Sequence, residues 1–112
     1  MTFIAMNRFK VTKDNAAVFE NIWASRESYL DEMPGFVSFH LLKGLEHEDH
    51  ILYSSHTVWA TKDDFVNWTK SDAFRKAHAN AGNSTARVFI GHPQFEGFEA
   101  VQSQYSSKRS AA

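Results

Sequence analysis

The 112-residue chain contains no cysteine. This absence excludes disulfide bonds, thiolate nucleophiles and zinc sites built from thiolates. It is compatible with a reducing compartment, and we expect the protein to be cytoplasmic. The first residues, M-T-F-I-A-M-N-R, alternate as a strand does and lack the charged and apolar regions of a secretory signal.

Two further absences concern partners. The formal net charge is -1, and the lysines and arginines are scattered without a basic stripe, so we expect no nucleic-acid partner. No run approaches the roughly 20 apolar residues that a membrane-spanning helix needs, so we expect no membrane partner. The proportions of apolar (43%) and charged (22%) residues favour one soluble globular domain.

Motifs of several enzyme classes are also missing. The sequence has no H-E-x-x-H zinc motif, no G-x-S-x-G nucleophile elbow, no paired-carboxylate motif and no glycine-rich phosphate loop. Two histidines and three acids lie together at 46–50, but a solvated connection between strands explains them better than a metal site, since no ligand geometry is implied. Aromatic residues, in contrast, reach 14%. This surplus over the needs of a small core indicates a ligand pocket or a subunit interface.

Hydrophobic periodicity predicts one domain, residues 1–102, built from strands and helices. We expect strands at 2–12, 36–44, 51–59 and 94–101, a helix from a cap at Asp14 or Asn15 to about Glu32, and two short helices between Thr61 and His78. Residues 79–85 are expected to form a loop, and the pattern at 86–90 leaves a helix and an extended segment open. The polar tail, 103–112, is expected to be disordered.

This order of elements is that of an α+β, ferredoxin-like split βαβ fold with an antiparallel sheet. The helices can cover only one face of such a sheet. Ile4 and Met6 alternate with the first strand's main apolar row and indicate that the other face is apolar too. Two such sheets packed face to face predict a homodimeric α+β barrel.

Residues 58–78 place an indole and an imidazole on two short, connected helices. In one unbroken helix, Trp68 and His78 would lie about 15 Å apart along the axis, too far to contact one small ligand. Ser71 can cap a second helix, and a bend there can bring both side chains towards one cavity. Taken alone, however, Trp68 is expected to be core and a histidine to be structural.

Asn7 is the exception in the apolar row of the first strand. A buried amide is unfavourable by a few kcal/mol unless it is hydrogen-bonded. On the pattern alone we expect Asn7 to satisfy a neighbouring loop. The alternative is an amide donor that faces a cavity.

Two blocks, A-M-N-R-F-K-V-T-K at 5–13 and V-W-A-T-K-D-D-F-V-N-W-T-K-S-D-A-F-R-K-A-H at 58–78, closely resemble the IsdG-type haem-degrading monooxygenases, a branch of the antibiotic biosynthesis monooxygenase superfamily. The resemblance covers nearly all of residues 3–101. M-P-G-F at 33–36 is shared more widely in the superfamily. The specific mark is the co-occurrence of Asn7, Trp68 and His78, which match the family's catalytic asparagine, pocket tryptophan and axial histidine.

The resemblance implies a haem oxygenase that opens the porphyrin ring with O2 and external electrons, giving a bilin-type product and free iron. Haem would be both substrate and cofactor. His78 would be the axial ligand of the iron, Asn7 a hydrogen-bond donor on the open side, and Trp68 a wall that presses the macrocycle out of plane. We expect Phe65 and Phe74 to add apolar wall.

Several points stay open in the sequence. The chain has no flavin or nicotinamide motif, so we expect an unidentified reductase or small reductant to supply the electrons. Propionate partners cannot be chosen among the arginines Arg8, Arg26 and Arg87. Residues 79–93 form a shorter segment than some family members have over the haem. The bilin regiochemistry, and the release of carbon monoxide or formaldehyde, are not determined.

Three alternatives share the expected fold. The first is a cofactor-independent monooxygenase of the same superfamily that acts on a phenolic or quinol substrate and gives His78 no axial role. The second is a non-catalytic module that binds or carries haem. The third is a structural dimer domain without a ligand.

Overall fold

A computed structural model describes residues 1–26, 29–78 and 88–107, except for the side chain of His78. The elements in chain order are β1 (Phe3–Val11), a 3-10 turn (Lys13–Asn15), α1 (Ala16–Ser25), a second 3-10 turn (Leu30–Glu32), β2 (Phe36–Glu46), β3 (Ile51–Trp59), α2 (Lys62–Thr69), α3 (Asp72–His78) and β4 (Phe89–Glu99). This order confirms the predicted α+β, ferredoxin-like fold.

The four strands form one antiparallel sheet in the order β2-β3-β1-β4. β1 pairs with β3 from Phe3 opposite Trp59 to Val11 opposite Ile51. Because side chains alternate along a strand, every second residue of β1 faces the helices and the others face away. The predicted bounds of the third strand, 51–59, are confirmed.

The helical face of the sheet carries two clusters of buried side chains, one towards each end of β1. The open half of the core, so named because it borders the cavity described below, consists of Phe3, Ala5, Leu30, Trp59, Trp68 and Ala77. The closed half consists of Phe9, Val11, Phe19, Ile51, Tyr53 and Val88. In β1, Asn7 lies between the residues that the two halves take from this strand. The odd amide of the sequence therefore marks the boundary between them.

The first helix is shorter than predicted, and its predicted continuation to Glu32 is wrong. α1 ends at Ser25, Arg26 has an extended backbone, and Tyr29 is left-handed at φ 61°. The Ser25 hydroxyl donates to the Asn21 and Ile22 carbonyls (2.9 and 3.4 Å), a local alternative that weakens helical propagation. Residues 27–28 lie outside the described part.

The start of α1 also differs in detail from the prediction. Asn15 occupies the N-cap position, but its side chain caps no backbone amide. Its amide instead donates to the Thr12 hydroxyl at 2.8 Å. The predicted position of the N-cap is confirmed, but the hydrogen bond that a capping side chain usually accepts is not formed.

The connection into β2 explains the M-P-G-F segment. Gly35 has φ +82°, and a Cβ placed there would lie 2.1 Å from the Asp64 carboxylate. Only glycine combines this backbone conformation with so close an approach. The Gly35 carbonyl also accepts a hydrogen bond from the Ala60 amide at 2.7 Å. The segment thus fixes the start of β2 against the start of α2.

The two edge strands are longer than predicted. β2 continues to Glu46, and β4 begins at Phe89 instead of 94. Of the two alternatives left open for 86–90, residues 89–90 are therefore extended. Pro93 lies inside β4, which an edge strand tolerates because one of its sides needs no amide donors. The register between β4 and β1 shifts between Arg8 and Lys10.

Some predictions fall outside the described residues. The expected loop at 79–85 lies there, as do residues 86–87 and 108–112 of the tail. The described part of the tail, 103–107, contains no strand or helix, and its disorder stays a prediction. Within the described chain, no helix has both the length and the apolar character to span a membrane.

The sheet face opposite the helices is the outer face. The strand register places apolar residues from all four strands on it: Ile4, Met6, Leu42, Leu52, Val58, Ile90 and Phe98. An ion pair between Arg8 and Glu96 lies among them. A patch of this kind is typical of a protein interface.

Candidate functional site

A cavity of about 580 Å³ lies between the sheet and the helices. Its volume falls within the roughly 300–1,000 Å³ range of small-molecule and cofactor sites. Aromatic side chains contribute a large part of its wall: Trp23, Phe39, Phe65, Trp68, Phe74 and Phe95. Its polar lining includes the Asn7 amide and the Arg26 guanidinium.

The structure brings together four of the five site residues expected from the sequence. Asn7 from β1, Phe65 and Trp68 from α2, and Phe74 from α3 all line this cavity. The fifth, His78, is the last residue of α3, and its side chain lies outside the described residues. Its neighbour Ala77 lines the cavity.

The bend between α2 and α3 lies where the sequence predicted it. α2 ends at Thr69 and α3 begins at Asp72. The Ser71 hydroxyl accepts a hydrogen bond from the Phe74 amide (3.0 Å) and donates one to the Trp68 carbonyl (2.7 Å). One hydroxyl therefore satisfies a backbone group at the end of α2 and another at the start of α3.

A capping box between Thr61 and Asp64 begins α2. The Thr61 hydroxyl accepts a hydrogen bond from the Asp64 amide at 3.1 Å and donates to the Asp64 carboxylate at 2.9 Å. The box fixes where α2 begins and satisfies one of its first backbone amides.

Trp68 belongs to the core and to the cavity at once. Its side chain is 6% exposed, its ring lies 6.2 Å from that of Trp59, and Phe74 packs edge-on against it at 5.4 Å. Trp59 is itself fully buried. The indole is supported from behind by packed rings, so a ligand in the cavity meets a wall that cannot easily withdraw.

Asn7 makes no side-chain hydrogen bond to any residue that the structure describes. Its strand neighbours on either side are Ser55 of β3 and Phe95 of β4, both of which line the cavity. The expectation that Asn7 satisfies a neighbouring loop therefore finds no support in the described chain. A half-buried amide of this kind leaves hydrogen-bonding capacity for a ligand or water.

Among the arginines that the structure describes, Arg26 is the one that lines the cavity. Its Nε donates to the Ala77 carbonyl at 3.1 Å, and its guanidinium lies 4.5 Å from the centre of the Trp23 ring. Burial lowers the pKa of Arg26 from its ordinary value. Among the described residues no carboxylate forms an ion pair with it.

The other two arginines considered from the sequence are placed differently. Arg8 pairs with Glu96 on the outer face, and Arg87 lies outside the described residues. The sequence contained a signal that favoured Arg26. It lies three residues after Trp23, a spacing that puts both side chains on one face of the predicted helix.

The acidic and histidine-containing tract at 46–50 connects β2 to β3, as expected. The His47 and His50 rings stack at 4.5 Å, and His50 hydrogen-bonds the Asp49 carboxylate at 2.6 Å. This hydrogen bond is the largest cause of the lowered pKa of Asp49. Nowhere in the described chain do three metal-ligating side chains cluster.

A family model described as "Antibiotic biosynthesis monooxygenase" matches residues 2–80. A heme-degrading monooxygenase of Bacillus thuringiensis subsp. konkukian is 33% identical over 99 residues, which are 88% of this chain and 92% of that protein. The heme-degrader MhuD of Mycobacterium tuberculosis, solved with two hemes bound in its active site, has a TM-score of 0.68 at 24% identity, covering 92% of this chain and 99% of that chain. SnoaB, a cofactor-independent oxygenase of Streptomyces nogalater, has a TM-score of 0.65 at 24% identity, covering 91% and 95%.

Proposed function

The chain belongs to the antibiotic biosynthesis monooxygenase family, and we propose that it is a haem-degrading monooxygenase that opens the porphyrin ring with O2 and external electrons to give a bilin-type product and free iron. One observation carries the proposal. A single cavity is lined by Asn7, Trp68, Phe74 and the residue that precedes His78. The identity to a heme-degrading relative over most of both chains supports the same assignment.

The residues of the cavity fit haem on physical grounds. A porphyrin is flat, apolar over its faces and anionic at its propionates. The aromatic walls suit the faces, the volume of about 580 Å³ is that of a cofactor site, and the Arg26 guanidinium is a cation without a described carboxylate partner. His78 at the end of α3 would hold the iron through a neutral imidazole nitrogen.

Haem bound in this cavity would supply both the iron at which O2 is activated and the carbon that is oxidised. The chain's own residues would orient the reactants and exclude water. Asn7 lines the cavity, and its amide would donate a hydrogen bond to the reacting ligand, where a polarised oxygen atom gains most from a fixed donor. The indole of Trp68, supported by Trp59 at 6.2 Å, would form a rigid wall against a flat ligand.

The electrons would come from outside the chain, through an unidentified reductase or a small reductant. Arg26 would bind a propionate, since of the two described candidates it lines the cavity while Arg8 faces the other way in its ion pair with Glu96. A bidentate contact between a guanidinium and a carboxylate would also fix the orientation of the ligand.

We further propose that two chains pack their outer faces together as a homodimer. Leu42, Ile90 and Phe98 on this face are 40%, 41% and 44% exposed, and large apolar side chains exposed together on one face mark protein interfaces. Sedimentation at micromolar concentration should give a dimer. Phe98→Asp should give a monomer, and Val18→Asp, a matched change at a 48% exposed residue of α1, should not; a monomeric wild type would contradict the proposal.

A cofactor-independent oxygenase acting on a phenolic or quinol substrate is the second candidate. It is favoured by the likeness of the fold to SnoaB and by an aromatic cavity that a planar phenol could also occupy. This candidate gives His78 no role toward iron. Titration with hemin therefore separates the two functions.

The test is a hemin titration followed by its Soret absorption band. The wild type should bind hemin saturably, and His78→Ala should lose the band. His92→Ala, which removes an exposed imidazole from β4, is the control and should bind as the wild type does. Absence of a saturable spectral change in the wild type would reject the proposal and leave the second candidate.

A further inference from the structure

Arg26 makes two contacts that differ in kind. Its Nε–H donates to the carbonyl of Ala77, 51 residues further along the chain, at 3.1 Å. Its guanidinium plane lies over the Trp23 ring at 4.5 Å, and Trp23 in turn stacks on Phe39 of β2 at 5.8 Å. The side chain is thus held between the end of α1, the sheet and α3.

The carbonyl of Ala77 lies at the end of a helix that depends on outside contacts. α3 has only seven residues, fewer than the roughly 12–15 that an isolated helix needs to be marginally stable. Its last four carbonyls have no partner within the helix. A cationic donor at this end satisfies one of them and also interacts favourably with the helix dipole.

The Arg26–Ala77 hydrogen bond holds the backbone one residue before the expected iron ligand, because Ala77 precedes His78 in the chain. Ala77 is itself 7% exposed and packs in the open half of the core. Fixing its carbonyl fixes the peptide plane that leads into His78. One Nε–H is used in this bond, which leaves the terminal guanidinium nitrogens for other acceptors.

We propose that Arg26 is a positioning residue for the iron ligand: it links the end of α1 to the last turn of α3 and so holds the backbone of His78 beside the cavity. This inference rests on the proposed function, since it concerns the residue expected to bind iron. It gives Arg26 a role that is separate from binding a propionate. Even without ligand, the Arg26–Ala77 hydrogen bond should order the end of α3.

The first test uses the protein without haem. Arg26→Met keeps a long apolar side chain over Trp23 and removes the donor. Backbone amides in residues 75–78 should exchange with solvent about ten- to hundredfold faster, the size expected for loss of one hydrogen bond to a charged donor. Arg75→Met, the same change at an exposed arginine of α3 that pairs with Asp72, should alter exchange by no more than about twofold.

The second test uses the hemin-loaded protein and a spectroscopic signature. The iron–histidine stretching band of the ferrous form should shift and broaden in Arg26→Met and stay unchanged in Arg75→Met. Arg26→Lys keeps the charge, but its single ammonium cannot both hydrogen-bond to the Ala77 carbonyl and lie over the Trp23 ring. The shift of the band in Arg26→Lys should therefore lie between those of the wild type and Arg26→Met. Arg26→Lys also replaces Arg26→Met if that variant does not fold.

Unchanged exchange at residues 75–78 in the Arg26 variants would overturn the proposal. Faster exchange with an unchanged iron–histidine band would overturn it as well, since Arg26 would then order α3 without positioning the ligand. A wild type that binds no hemin would instead reject the proposed function, and with it any role of Arg26 toward iron. Exchange in the haem-free protein distinguishes these failures, because it reports on the hydrogen bond whether or not haem binds.

Discussion

The two halves of the core share one face of one sheet and differ in what they enclose. In the closed half, Val11, Phe19 and Tyr53 are fully buried and pack against the sheet and α1. In the open half, half-buried rings pack against Trp59 and Trp68. Two of these rings, Phe65 and Phe74, line the cavity. The closed half therefore supplies rigidity, and the open half uses that rigidity to shape a binding site.

The largest effect should come from emptying the closed half. Phe19→Ala removes a fully buried ring and should lower the free energy of unfolding by about 3–5 kcal/mol, measured by denaturant titration. Phe74→Ala, at the half-buried wall of the cavity, should lower it less and should weaken hemin binding instead. Equal losses of stability would contradict the division into two halves.

A substitution of Asn7, at the boundary between the halves, should reduce activity without reducing stability. Asn7→Ala removes an amide without a described hydrogen-bond partner, so the free energy of unfolding should stay equal or rise slightly. Haem turnover should fall about 100-fold, as for loss of one fixed donor at a reacting centre, while hemin affinity is kept. If hemin affinity is lost instead, Asn7 has a different role.

A smaller effect is expected at the bend. Ser71→Ala removes a hydroxyl that accepts from the Phe74 amide and donates to the Trp68 carbonyl, and should lower stability by about 1 kcal/mol. Hemin affinity should fall with it, because Trp68 and Phe74 lose their relative orientation. Thr61→Ala breaks the cap at the other end of α2 and is the matched control: similar stability loss with unchanged affinity. Equal effects on affinity would argue against a special role for the bend.

The smallest effect is a loss of stability at alkaline pH, and we expect it from Tyr53 in the closed half. Burial, followed by the hydrogen bond and charge of Glu20, raises the pKa of Tyr53 from 10.0 to about 12. Because the unfolded chain loses this proton first, the stability contribution is complete below pH 10 and is lost as pH rises towards about 12. Denaturant titrations across this window should show the decline, and Tyr53→Phe should reduce it. An unchanged decline in Tyr53→Phe would assign it to other groups.

Features with strong local signals could be predicted from the sequence. The alternation of β1 and β3, the Thr61–Asp64 capping box and the break at Ser71 depend on residues close in the chain. The order of the predicted strands and helices then indicated the ferredoxin-like fold. Asn7 and Trp68 could be selected because a family resemblance added context to each, although their shared cavity needed the folded sheet.

Features that depend on distant contacts could not be predicted. Helical periodicity continues past Ser25, but Arg26 leaves the helix and hydrogen-bonds to Ala77 in α3. The predicted fourth strand began after Pro93, and only the edge position of β4 makes a proline inside this strand acceptable. The spacing of Arg26 from Trp23 favoured it, but only the structure placed Arg26 at the cavity and Arg8 on the opposite side of the sheet.

The most direct measurement is mass spectrometry of the products of a single aerobic turnover of bound hemin with an added reductant, with released iron captured by a chelator. The account predicts a ring-opened tetrapyrrole and stoichiometric iron from the wild type, and little of either from Asn7→Ala or from hemin alone. The same spectra would identify how the lost carbon leaves. Recovery of intact hemin from the wild type, or the same products from hemin alone, would contradict the claim that this cavity opens the haem ring.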